Sequence, residues 1–262
     1  MEGAVGGEEG ARFVFFDWAG TLARKSGRSK KDKLMGRVVS LHETLVALAA
    51  KEQGEEGPDI PSVDTLFQEF KTVREDLKQS KGEGESFSYK EVLARLWPVL
   101  GLGHNLLVKW EEQLLLCLFP KEESAGLYPG AKEVLQALQA AAVPAGLIRN
   151  SKQPEQSMRK RLKEEGVEQF FSVVVMAGDL GVEKPDKLVF LHAVEKAGLQ
   201  KLQEEQPKSI WYIGNEEEID AKGANGVGWT SVHVKHTQTE TASIASHEID
   251  CLSELLSVFH LA

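Results

Sequence analysis

Four short segments of this 262-residue chain carry side chains able to do chemistry, and they lie far apart in sequence. The first is Asp17-Trp18-Ala19-Gly20-Thr21, a carboxylate soon followed by a glycine and a hydroxyl. The second is Arg149-Asn150-Ser151, and the third is Gly181-Val182-Glu183-Lys184-Pro185-Asp186. The fourth is Gly214-Asn215-Glu216-Glu217-Glu218-Ile219-Asp220. A carboxylate can serve as nucleophile or metal ligand, and a lysine can neutralise it. Glycine turns can direct backbone amides at an anion. Displacement at a phosphoryl group needs such parts: a nucleophile, donors for the oxygens, a fixed cation and usually a divalent metal.

The elements that must position these groups can be read beside them. Phe13-Val14-Phe15-Phe16 is wholly apolar and stops at Asp17, which predicts a buried strand presenting a carboxylate at a sheet edge. Ligands of open α/β sheets gather at such strand ends. Gly20 allows a sharp bend and close approach to an anion, with the Gly20 and Thr21 amides as candidate donors. A second apolar run over 143–148 ends at Arg149, whose guanidinium suits a phosphate or carboxylate, or an acidic neighbour such as Glu216. Asn150 and Ser151 are either ligand contacts or caps of the next helix. Lys184 precedes a proline that opens a helix, so it can project towards the edge that carries Asp17. A further strand over 209–213 stops at Gly214-Asn215. The acidic run after it suits a helix N-terminus.

Between the first strand and Tyr128 the chain reads differently. Leu34, Val38, Leu41, Leu45 and Leu48 recur at helical spacing, and further helices are predicted over 63–79, 89–100 and 106–119. The basic run Arg24–Lys33 that leads into them reads as a solvated loop. Beyond Tyr128, strand and helix alternate, which predicts a Rossmann-like doubly wound parallel sheet with right-handed crossovers. The expected division is a tail over 1–10, an α/β core over 11–22 and 125–262, and an inserted helical cap over 23–124. Inserted after the first strand, those helices are expected to form a lid on Asp17.

Composition sets the outer bounds. Hydrophobic residues make up 42% of the chain and the formal net charge is −9, so nucleic acid and anionic membranes are not expected partners. No apolar run approaches the roughly 20 residues of a membrane span, and Met1–Gly10 lacks a secretory pattern. A cytoplasmic protein is expected, with Cys117 and Cys251 reduced and buried.

Phe13–Phe16 followed by Asp17-Trp18-Ala19-Gly20-Thr21-Leu22 resembles the first signature of the haloacid dehalogenase superfamily of phosphatases and related hydrolases, a hydrophobic strand and then Asp-x-Asp-Gly-Thr-Leu, and Lys184-Pro185-Asp186 is similar to its third. The resemblance implies Asp17 as nucleophile and Lys184 as the group that neutralises it. It implies phosphate contacts from Gly20, Thr21, Arg149, Asn150 and Ser151. It also implies Mg²⁺ held by Asp17, the Ala19 carbonyl, Asn215 and Asp220.

Three positions depart from the family pattern. Ala19 stands where the second aspartate protonates the leaving group, Arg149 where a hydroxyl is usual, and Asn215 where an acid is usual. Asp17-Trp18-Ala19-Gly20-Thr21 is similar to the first motif of phosphonoacetaldehyde hydrolase. The expected function is hydrolysis of a small phosphorylated or phosphonate metabolite. The alternatives are a catalytically impaired protein that binds a protein partner, and a metal-independent dehalogenase-like hydrolase.

Overall fold

The computed structural model describes residues 12–52, 58–82, 86–119, 126–236 and 243–261. The tail expected over 1–10 lies outside them. The chain divides into two compact units, one comprising Met1–Lys25, Ala125–Ser151 and Met158–Ala262, the other Ser26–Ser124 and Lys152–Ser157.

The first unit is built on six strands: β1 (Phe13–Phe16), β2 (Ala145–Arg149), β3 (Phe171–Met176), β4 (Ile210–Gly214), β5 (Thr230–Val234) and β6 (His247–Ile249). Their spatial order is β3-β2-β1-β4-β5-β6, and every neighbouring pair is parallel. β6 follows the strand expected to be last. Three residues are too few for a periodic signal.

The strands are apolar on both sides because both faces are covered. Val14, Phe16, Leu147, Val174 and Ile213 pack on α5 (Ala131–Ala140) and α6 (Glu155–Glu164), with Leu252 and Leu255 beside α10 (Leu255–Val258). Phe13, Phe15, Ile148, Val175 and Tyr212 face the other way, onto α7 (Lys187–Ala197) and α9 (Lys222–Gly226). The short α8 (Gln200–Glu205) leads back towards β4.

The second unit is mainly a helical insertion between β1 and β2, and it also takes in Lys152–Ser157 from beyond β2. It contains α1 (Lys30–Ala49), α2 (Val63–Ser80), α3 (Tyr89–Val99) and α4 (His104–Cys117). Ser29, Ser62 and Ser88 accept hydrogen bonds from backbone amides at the starts of the first three, and Ser88 with Glu91 closes a capping box. Its core collects Leu41, Leu45, Phe70, Leu93, Trp97, Trp110 and Leu114, one apolar stripe from each helix. No helix among the described residues is long and apolar enough to cross a membrane.

The cysteines correct one expectation. Cys117 is half-buried and its thiol is pushed up to about 11 by desolvation, but Cys251 is exposed. It follows β6 directly, in a turn that the missed strand places at the surface. Both are free thiols.

Candidate active site at the switch point of the sheet

The strand order reverses between β1 and β4, and in open α/β sheets the carboxyl ends of the strands at such a point form the binding crevice. Asp17 directly follows β1, and Gly214-Asn215 ends β4. The paired register sets Phe16 against Ile213, and the Asp17 amide donates to the Ile213 carbonyl at 2.9 Å. Sheet geometry alone therefore brings the first and fourth segments together.

Lys184 joins them. Its ammonium lies 3.0 Å from Asp17 Oδ1, 2.7 Å from Asp220 Oδ1, 2.6 Å from the Tyr212 hydroxyl and 3.2 Å from the Ile148 carbonyl. Three protons meet four acceptors, so the ammonium is fixed rather than swinging. Asn150 holds the backbone behind it: its Oδ1 accepts from the Lys184 amide at 2.8 Å and its Nδ2 donates to the Lys184 carbonyl at 3.0 Å. Asn150 is thus a clamp on the lysine loop in this structure and not a helix cap.

The charges are sequestered unequally. The side chain of Lys184 is 1% exposed, whereas that of Asp17 keeps 12%, so of the pair it is the carboxylate that meets solvent. Burial raises the pKa of Asp17, with the Lys184 charge opposing and the Asp220 charge adding. The Lys184 pKa is also raised: desolvation acts against the charge, but the two carboxylates outweigh it. Tyr212 is pushed well above its usual range by burial and then by the Asp220 charge. A carboxylate offers a nucleophilic electron pair only in its ionised form.

Asp220 is held on every side. Its Oδ2 accepts from the Asn215 and Glu216 amides, each at 3.1 Å, while Oδ1 takes Lys184 and lies 3.3 Å from the Tyr212 hydroxyl. A π-turn over Glu217–Ala221, in place of the plain helix start expected near Asp220, folds the carboxylate back onto the end of β4. Gly214 makes room for it, since a Cβ there would stand 2.3 Å from Asp220 Cγ.

The Asp17 loop turns through Gly20 at φ +96°, a conformation that favours glycine. A Cβ on Gly20 would lie 2.7 Å from both Asn215 Oδ1 and Lys25 Cε. Gly20→Ala is accordingly expected to cost about 1–3 kcal/mol from backbone strain and crowding, measured by denaturant unfolding. Thr21 is fully buried, donates to Asn215 Oδ1 at 3.3 Å and, through its carbonyl, meets His236 Nε2 at 3.3 Å. Lys25, expected to be one of a solvated run, pairs with Glu216 at 2.8 Å, so Glu216 is taken by that lysine. The Arg149 guanidinium lies 3.4 Å from Met158 Sδ, and its charge works weakly against the burial that raises the Asp17 pKa. The carbonyl of Ser151 accepts from the Gly178 amide at 3.0 Å.

Asp17, Gly20, Thr21, Asn150, Lys184, Asn215 and Asp220 are thus linked around one crevice. Tyr212 was not anticipated. It sits in an apolar strand where its hydroxyl is invisible to a hydrophobic pattern, although a tyrosine inside such a strand must find a buried partner.

Comparison with known proteins fits this geometry. A family model described as haloacid dehalogenase-like hydrolase matches residues 11–228. The glyceraldehyde 3-phosphate phosphatase of Methanopyrus kandleri is 29% identical over 99 residues, 36% of this chain and 40% of that protein. A pyrimidine 5′-nucleotidase of Escherichia coli is 28% identical over 131 residues, 48% of this chain and 54% of that protein. The chain therefore matches about half the length of these relatives. Among solved structures, a 2-haloacid dehalogenase from Pseudomonas syringae superposes with TM-score 0.64 at 17% identity, covering 95% of this chain and 98% of the other. A HAD phosphatase from Thermococcus onnurineus gives 0.52 at 20% identity, covering 94% and 97%. These similarities at low identity speak for the fold, and the family match, which spans most of the chain, makes this protein a member of the haloacid dehalogenase-like hydrolases.

Proposed function

We propose that the protein hydrolyses a small phosphomonoester through Asp17. The observation that carries this reading is the Asp17–Lys184 pair at the sheet's switch point: a carboxylate partly open to solvent, its charge balanced from behind by a sealed ammonium. Among the described residues, Asp17 Oδ2 accepts no protein hydrogen bond, which leaves it available for attack. The phosphatase and nucleotidase names of the two relatives support a phosphorylated substrate.

In the proposed reaction an Asp17 oxygen bonds to phosphorus as the phosphorus–oxygen ester bond breaks. The bonding pair leaves with the substrate oxygen, which takes a proton. Water then attacks the aspartyl phosphate, releasing phosphate and regenerating the carboxylate. Lys184 offsets the charge of Asp17, and the Gly20 and Thr21 amides, with Arg149 and Ser151, are proposed to bind the phosphoryl oxygens. Ala19 has no proton to give, so the leaving oxygen draws on water, which makes the reaction slow. Asp220, with its lone pairs engaged by Lys184, Tyr212 and two amides, is assigned to clamping the lysine and not to holding a metal.

The Mg²⁺ implied by the family fits the remaining oxygen donors in a weakened form. Asp17, the Ala19 carbonyl and the Asn215 side-chain oxygen would hold it, with one formal charge fewer than an acid at 215 would give. When bound, it would supply Lewis-acid neutralisation of the phosphoryl oxygens.

Ala19→Asp tests this reading. Restoring a carboxylate two residues after the nucleophile is expected to raise kcat about 10²- to 10⁴-fold. The assay is phosphate release from glyceraldehyde 3-phosphate, pyrimidine 5′-monophosphates and phosphonoacetaldehyde, with and without Mg²⁺. No release by wild type or variant from any of them would sink the proposal. A second reading, a protein that binds phosphorylated ligands without turning them over, is favoured by Ala19 and Asn215 together. Activity confined to Ala19→Asp would establish it.

A further inference from the structure

A second cluster of ligand-type groups stands beside the end of β4, towards β5 and β6, and shares no residue with the set around Asp17. Glu217 opens the π-turn after β4, His233 lies on β5 and Glu248 on β6. The β5–β6 register sets His233 directly beside Glu248, and the β4–β5 register sets Gly214, three residues before Glu217, beside His233. The sheet thus converges one imidazole nitrogen and two carboxylates, with ligand atoms all within 4.8 Å of one another.

The imidazole gives an independent indication of what belongs between the carboxylates. His233 Nε2 lies 3.2 Å from the Asn215 carbonyl, and since a carbonyl only accepts, this nitrogen carries the hydrogen. That leaves Nδ1 as the nitrogen turned towards the carboxylates. Nδ1 is buried, has no hydrogen-bond partner, and faces Glu217 at 3.5 Å and Glu248 at 3.9 Å. A ring nitrogen set between two carboxylates calls for a cation there, a proton or a metal ion, and at 3.5 Å and 3.9 Å no hydrogen bond runs from Nδ1 to either carboxylate. Two ligands of one tetrahedral ion with bonds near 2.0–2.2 Å stand roughly 3.3–3.6 Å apart, close to these separations. An imidazole whose second nitrogen donates to a backbone carbonyl is also how metal-bound histidines are oriented.

We infer that Glu217, His233 and Glu248 form a binding site for a borderline divalent cation such as Zn²⁺. The nitrogen ligand selects this class over Mg²⁺, which prefers an all-oxygen shell. Glu217 Oε1 is preset by the Ile244 amide at 3.2 Å and by the Ser243 hydroxyl. Lys235, 3.6 Å from Glu248 Oε2, offsets part of the negative charge and competes for that carboxylate. Through the His233–Asn215 bond the ion would brace the end of β4, which bears on the crevice without taking part in the chemistry. The inference stands apart from the phosphatase reading, because binding is measured directly.

The test is titration of the full chain with Zn²⁺ by calorimetry and with Co²⁺ by visible absorption, both in excess Mg²⁺ so that an all-oxygen site is occupied. Wild type is expected to bind one equivalent, with the intense d–d bands of low-coordinate Co²⁺. Glu248→Gln, at an exposed edge, and His233→Gln are each expected to weaken binding at least about tenfold, since disturbing even an outer partner of a metal ligand costs that much. Circular dichroism checks that both variants are folded. Glu248→Gln keeps the test valid if His233→Gln is not. Absence of saturable binding by wild type, or affinity unchanged in folded Glu248→Gln, would overturn the inference.

Discussion

Asp17→Asn is expected to lower kcat for phosphomonoester hydrolysis by about 10⁴-fold or more, the scale of losing a covalent nucleophile. The amide keeps the shape of the carboxylate and can still accept from Lys184, which retains Asp220 at 2.7 Å as its charge partner. The fold should therefore survive. A melting temperature close to that of the wild type, with activity gone, is the combination this account requires. Loss of activity with loss of fold would point to a structural role only, and retained activity would remove Asp17 from the chemistry.

Lys184→Met is expected to have the largest effect on stability. Asp17 and Asp220 are both buried, and Lys184 is the ammonium that pairs with each. Removing one member of a buried ion pair typically costs about 3–5 kcal/mol, because the charge left behind is uncompensated. At roughly 2–4 °C per kcal/mol for a domain of this size, the melting temperature should fall by about 6–20 °C. The pH dependence has a definite sign. The wild-type Lys184 pKa is raised, so the stability it contributes is fully present below the ordinary lysine value of 10.5 and is lost as pH rises through the folded-state pKa. In the variant Asp17 loses the charge that opposed the effect of burial, and the deficit should shrink as pH falls and this carboxylate takes up its proton. A Lys184→Met protein as stable as the wild type at neutral pH would show that the pair is screened by solvent.

Much of this arrangement was legible in the sequence because it rests on short-range chemistry. An apolar run stopping at Asp17 and a second stopping at Gly214 can only be strand ends in an alternating α/β pattern. Parallel pairing then brings their termini together. Lys184, flanked by a glycine loop and a proline just ahead of the Asp186 helix cap, had to project from such an edge as well. The inserted helices were visible from their 3.6-residue periodicity, and the three serine caps explain why their starts are sharp.

What escaped depended on partners distant in sequence. Tyr212 reads as another apolar strand residue, and its role follows only from Lys184 approaching across the sheet. The π-turn after β4 has no periodic signature, so the way Asp220 folds back onto two backbone amides could not be read from spacing. Lys25 looked like one of several solvated cations, and only the closeness of Gly20 to Asn215 brings it against Glu216. His233 and Glu248 are two polar residues on neighbouring short strands, β5 and the edge strand β6. Their adjacency is a matter of register, which single-strand patterns do not encode.

The central claim, that Asp17 itself becomes phosphorylated, is tested most directly by trapping. The protein is mixed with a radiolabelled phosphomonoester that it hydrolyses, quenched in acid within one turnover, and reduced with borohydride, which converts an aspartyl phosphate to homoserine. Label on the quenched protein and homoserine at position 17 by peptide mass spectrometry, with neither in Asp17→Asn, is the expected result. Full turnover with an unmodified Asp17 would contradict it.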